Sequence, residues 1–166
     1  AALRAPPRRR AAAFRVCAVP SWTFEVAWSA TDGGTEDEKW IEFQERHYSS
    51  MVADERRTGL FLDSLKRRLS AYAPGTATVL DLGTGPFALF ARAAIGFGAG
   101  KVYALEAVPA AAERAALTVA GDAAIPDGAI EVIEGFSTAV SLPEKVDVLI
   151  SEIAGSVASE EGVYAT

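Results

Sequence analysis

The chain has 166 residues, half of them apolar, which suits one domain with a core of its own and is unlike a disordered chain. It has no apolar run of about 18 residues, as a transmembrane helix would need. One cysteine, Cys17, rules out an internal disulfide framework and fits a reducing compartment, and with one histidine, His47, it cannot form a structural zinc site. The net charge of −6 is uneven: residues 1–24 hold five arginines and no acid, and the remainder carries 11 basic against 22 acidic side chains. An acidic body disfavours nucleic acid and suits a basic partner such as an arginine-rich tail, although acidic surfaces also serve solubility alone.

In chain order, residues 1–20 are rich in Ala, Arg and Pro and do not begin with Met, as expected of a processed chain or a piece of a longer one. An Arg-rich, acid-free start has the composition of an organellar transit peptide except for its scarce serine; a flexible basic tail reads equally well. Trp22–Trp28 alternates enough for a short strand, so residues 1–35 form one segment and 36–166 the domain proper. Residues 36–48 are predicted helical, anchored by Trp40, Ile41 and Phe43. A longer helix is predicted from Met51 to Tyr72, with Leu62, Leu65, Leu69 and Tyr72 as its core stripe and Pro74-Gly75 as its stop.

The central stretch is Thr78 to Glu106. Val79, Leu80 and Leu82 read as a strand buried on both faces, and Asp81 within it needs a partner. Gly83-Thr84-Gly85 permits positive φ and a close ligand approach, and Pro86 suits a helix start, placing a helix over Phe87–Ile95. Lys101–Leu105 is the second strand, with Glu106 at its carboxyl end, 21 positions beyond Gly85, the distance expected for an acid gripping ribose hydroxyls. Ala88 stands where a dinucleotide fingerprint has its third glycine, and no lysine follows the loop as a P-loop requires, so a nucleoside without a triphosphate is the expected ligand. A helix over Pro109–Ala120, a third strand over Ile130–Ile133 and a fourth over Val146–Ile150 complete an α/β pattern with a parallel sheet and right-handed crossovers.

Asp81-Leu-Gly-Thr-Gly-Pro with a strand-end Glu resembles the first motifs of class I S-adenosylmethionine-dependent methyltransferases. Met51-Val-Ala-Asp54-Glu-Arg-Arg57-Thr58 resembles the M-x-x-D-x-x-R-T helix of protein arginine N-methyltransferases, and Val146 to Glu161 is similar to their double-glutamate segment. The resemblance covers roughly residues 38–166. It implies a Rossmann-like class I sheet, incomplete at four of seven strands, so that the chain is the front part of a longer enzyme and inactive alone. It implies S-adenosyl-L-methionine as cofactor and arginine in a protein as methyl acceptor, with no direct nucleic acid, no membrane and no metal. A homodimer of the full-length protein and a cytoplasmic or nuclear location go with it.

The resemblance assigns Arg57 to the cofactor carboxylate, Gly83 and Gly85 to its methionine portion, Asp81 to its amino group and Glu106 to its ribose. Glu152 and Glu161, nine residues apart around Gly155, would clamp the substrate guanidinium between them, since a planar fork of five donors suits two carboxylates. Each residue has a plainer alternative: Arg57 as a surface cation, Asp81 as a helix cap, Glu106 as a loop acid, and Glu160 and Glu161 as exposed acids. The family's Tyr-Phe-x-x-Tyr pattern is missing: Lys39 to Arg46 reads KWIEFQER, and no tyrosine occurs before Tyr48. Thr138 stands where an acid would meet the adenine amino group. His47 is one position out of register with a family histidine, and Met51 holds a place lining the arginine pocket. Two rival readings are a class I methyltransferase acting on another substrate and a non-catalytic cofactor-binding or scaffolding relative.

Overall fold

A computed structural model of the protein describes residues 46–153. Residues 1–45 and 154–166, and with them the expected strand at Trp22–Trp28, Trp40, Ile41, Phe43, Gly155, Glu160 and Glu161, lie outside the described residues.

The expected helix over Met51–Tyr72 is two helices. The first, α1, is helical over residues 46–53, and α2 runs Glu55–Leu69. Asp54 separates them because it is an N-cap: its carboxylate accepts from the Arg57 N–H at 3.0 Å, satisfying one of the orphan donors at the start of α2. The buried Thr58 hydroxyl donates back to the Met51 carbonyl at 2.9 Å and closes the break. The spacing of Met51, Asp54, Arg57 and Thr58 is therefore that of a capped helix–helix junction. Lys66, Arg67 and Arg68 lie in the last turn of α2, where cations oppose the negative end of the helix dipole.

Among the described residues, four strands form one parallel sheet: β1 Thr78–Leu82, β2 Lys101–Glu106, β3 Ile130–Glu134 and β4 Val148–Ser151, in the order β3-β2-β1-β4. In register, Leu82 of β1 lies beside Leu105 of β2 on one side and Ser151 of β4 on the other, so the ends of the two central strands and of β4 share one rim. Between β1 and β2 runs α3, Leu89–Gly96, and between β2 and β3 runs α4, Pro109–Ala120. The core is built from Val79, Val102, Val148 and Ile150 of the strands, Leu65 and Leu69 of α2, and alanines such as Ala91, Ala94 and Ala115 on the covering helices. Methyl side chains on α3 and α4 allow close approach to the sheet.

The helix predicted from Phe87 begins two residues later, at Leu89. Pro86 lies in the preceding turn, and Ala88 takes a left-handed conformation, φ 45°, which ends the turn before the helix starts. Ala88 is fully buried, so its small side chain meets the close helix–strand packing that the third glycine of the dinucleotide fingerprint serves. Among the described residues no helix is long and apolar enough to cross a membrane.

Candidate functional site

The site is built on the rim where β1, β2 and β4 end. After Leu82 the chain turns through Gly83 and Gly85, at φ 76° and 63°. The N–H groups of Gly83 and Thr84 both donate to the Leu105 carbonyl, at 2.9 and 3.0 Å, which ties the turn to the end of β2.

Two buried carboxylates hold this turn from beneath. Asp81 of β1 accepts with Oδ2 from the Thr84 hydroxyl at 2.6 Å and from the Ala91 N–H at 2.9 Å. It thus caps α3 from the neighbouring strand, a helix whose own N-cap position, Ala88, offers no side-chain bond. Its Oδ1 is buried without a hydrogen-bond partner. Burial pushes the Asp81 carboxyl up to about 6, and the bonds from Thr84 and Ala91 only partly offset it, with the nearby Glu106 charge adding to the rise.

Glu106 is 4% exposed and ends β2. Its Oε2 accepts from the Gly85 N–H and its Oε1 from the Val108 N–H, both at 2.9 Å. One side chain therefore joins the glycine turn to the start of α4. A carboxylate has about four lone-pair directions, so two acceptor sites remain for other donors.

Above the turn lies α1. A Cβ added to Gly85 would come within 2.8 Å of the Tyr48 ring, and one added to Gly83 within 2.6 Å of Ile153 Cγ2. Both positions thus need glycine twice over, for the sign of φ and for space. A cavity of about 50 Å³ opens here, lined among others by Tyr48, Met51, Arg57, Gly83, Thr84 and Glu152. It is far smaller than the roughly 300–1,000 Å³ of an open ligand pocket. The Arg57 guanidinium is ion-paired through Nη2 with Glu152, and its face lies 5.7 Å from the Phe61 ring centroid.

Of the residues singled out in the sequence, the structure brings Arg57, Gly83 and Glu152 to one cavity and places Gly85 against the Tyr48 ring. Asp81 and Glu106 lie beneath the turn and hold its backbone. Glu161, the second acid of the expected clamp, is outside the described residues. Thr138 is exposed in the turn after β3. Sequence reasoning missed Tyr48 as the ring on the glycine turn. Its signal was present in its position, one turn before Met51 on the same short helix. Among the described residues, no group of three or more His, Cys, Asp or Glu side chains is placed to hold a metal.

No protein-family model matches the chain. It is 37% identical over 118 residues to the protein arginine N-methyltransferase PRMT10 of Arabidopsis thaliana, covering 71% of this chain and 29% of that protein. It is 36% identical over 115 residues to the probable histone-arginine methyltransferase 1.3 of the same plant, covering 69% of this chain and 21% of that one. Among solved structures it resembles the Trypanosoma brucei PRMT1 enzyme–prozyme heterotetrameric complex with AdoHcy, with a TM-score of 0.56 and 29% identity over 64% of this chain and 32% of the other. The chain thus spans less than a third of these relatives. The parallel sheet with covering helices is the Rossmann-like class I methyltransferase fold. By sequence and by fold, the matched part of this chain is similar to members of the protein arginine N-methyltransferase family.

Proposed function

We propose that this chain binds S-adenosylmethionine on the β1–β2 rim and, within the whole protein, serves methyl transfer to an arginine nitrogen of a protein substrate. The observation that carries this reading is the meeting of Arg57, Gly83 and Glu152 in one cavity above a glycine turn held by Glu106. The residues fit such a cofactor. The bare backbone at Gly83, which lines the cavity, leaves the turn's main chain accessible to a ligand there. Glu106 keeps two acceptor sites for a pair of ribose hydroxyls, and the Arg57 guanidinium can fork onto a carboxylate. The resemblance to a structure in complex with AdoHcy supports the same ligand class.

The bound cofactor supplies an electrophilic methyl group on a sulfonium. Arg57 would hold its carboxylate and Glu106 its ribose, beside the cavity that Tyr48 and Met51 line. Glu152 accepts from the substrate guanidinium and fixes its plane, with Glu161 as its expected partner. A displacement of this kind depends on alignment and on charge placed beside the reacting nitrogen, and needs no strong base.

The same reading takes 36–166 as the cofactor-binding domain, arginine-rich protein tails as partners of its acidic body, a homodimer of the full-length protein and a cytoplasmic or nuclear site of action. The test is methylation of an arginine-containing peptide by the full-length protein. Glu152→Gln is expected to abolish turnover while S-adenosylhomocysteine still binds. Retained turnover in that variant would remove Glu152 from the reaction.

A further inference from the structure

Ser70 ends α2, and three cations, Lys66, Arg67 and Arg68, stand directly before Leu69 and Ser70. Arginines therefore lie two and three positions upstream of a serine, and no other serine or threonine in the sequence has that arrangement. Thr58 also follows an arginine pair, but the pair lies one and two positions before it, and its buried hydroxyl donates to the Met51 carbonyl. Ser70 is exposed, as are the three cations before it.

The run sits at a boundary in the fold. Ser70 is the C-cap of α2, and the chain beyond it leaves the helix. Its hydroxyl donates to the Arg67 carbonyl at 2.8 Å, a local bond at an exposed helix end that water can replace. Arg67 and Arg68 line a surface cavity of about 300 Å³ together with Ser64 and Ala71. Among the described residues, none of the three cations is ion-paired with an acid, and Arg68 lies over the Tyr72 ring and donates to its hydroxyl at 3.2 Å. Opposing the helix dipole, the simpler role of the triplet, needs cations in the last turn but not arginines at fixed distances before a serine.

We infer that Ser70 is a phosphorylation site for an arginine-directed protein kinase, one whose substrate groove carries carboxylates that take up Arg67 and Arg68. A guanidinium forks onto a carboxylate, so two such pairs set the register that brings Ser70 to the transferring phosphoryl group. The Ser70 Oγ attacks the γ-phosphorus of a nucleoside triphosphate. An O–P bond forms, the bond to the leaving diphosphate breaks, and the hydroxyl proton passes to the kinase's catalytic aspartate. Leu69 is 3% exposed, so an extended groove takes the segment only when the last turn of α2 opens and Leu69 leaves the core. Openings of this kind cost least at the end of an element. The product places a charge of about −1.5 to −2 beside three cations, cancelling much of a basic patch on an acidic body.

The test is incubation of the full-length protein with the catalytic subunit of a cyclic-AMP-dependent kinase and ATP, read by peptide mass spectrometry at Ser70. Phosphate is expected there in the folded protein. Arg67→Gln and Arg68→Gln are each expected to slow its appearance about tenfold or more, as loss of a charged hydrogen-bond partner does. A synthetic peptide of residues 64–74 carries the same run without the fold, and the same two substitutions in it are expected to give the same loss. Unchanged rates in the arginine variants, or a loss seen in the protein but not in the peptide, overturn recognition through the arginines. Phosphorylation of the peptide with none on Ser70 of the folded protein overturns the site, since the last turn of α2 then stays closed to the kinase.

Discussion

At the scale of single residues, the glycine turn is the most constrained part of the molecule. Gly85→Ala places a side chain at φ 63° and against the Tyr48 ring. The left-handed backbone alone costs about 1–2 kcal/mol, so urea unfolding of this variant is expected to show at least that loss. Asp81 gives a pH signature. Its folded value of about 6 lies above the ordinary 3.8, so folding favours the protonated form. The stabilisation this brings is complete below the unfolded value and disappears as the pH rises through the folded one, a span of about 3 kcal/mol. Asp81→Asn, which cannot ionise, is expected to gain stability relative to the wild type between about pH 4 and about pH 7. Parallel pH-dependent slopes for the two proteins would contradict this. Glu106→Ala is expected to weaken S-adenosylhomocysteine binding at least tenfold, about 1.4 kcal/mol, as read by calorimetry.

At the scale of elements, the junction between α1 and α2 is the part to probe. Asp54→Ala removes the side chain that accepts from the Arg57 N–H. Loss of such a cap costs about 1 kcal/mol, and Asp54→Asn is expected to restore most of it in the same denaturation experiment. The strands and α4 were legible in the sequence because buried parallel strands are short apolar runs bounded by turn residues; Pro109–Ala120 was read with both ends in place. The Asp54 break was not legible, since an aspartate in a polar helix face looks the same whether it caps or continues the helix. The late start of α3 was hidden for a related reason: Pro86 marks a helix start, but the left-handed Ala88 and the Asp81 bond to Ala91 set the actual one. The strand-end position of Glu106 and the glycine turn could be read from spacing. The pairing of Arg57 with Glu152 could not, because it joins residues 95 positions apart through the fold alone.

At the scale of the whole molecule, the order β3-β2-β1-β4 puts Glu106, the glycine turn and Glu152 on one side of the sheet's rim although they come from three different strand ends. A ligand seated there touches elements spread over most of the fold, and so stabilises all of it. S-adenosylhomocysteine at about a hundred times its dissociation constant is expected to raise unfolding free energy by about 2.7 kcal/mol, visible as an upward shift in thermal midpoint, and Glu106→Ala should erase most of that shift at the same concentration. The two bonds by which Glu106 holds Gly85 and Val108 carry a further consequence. Loops fixed in this way are already ordered when the chain folds, so a ligand seated against them would leave little freedom to lose at encounter.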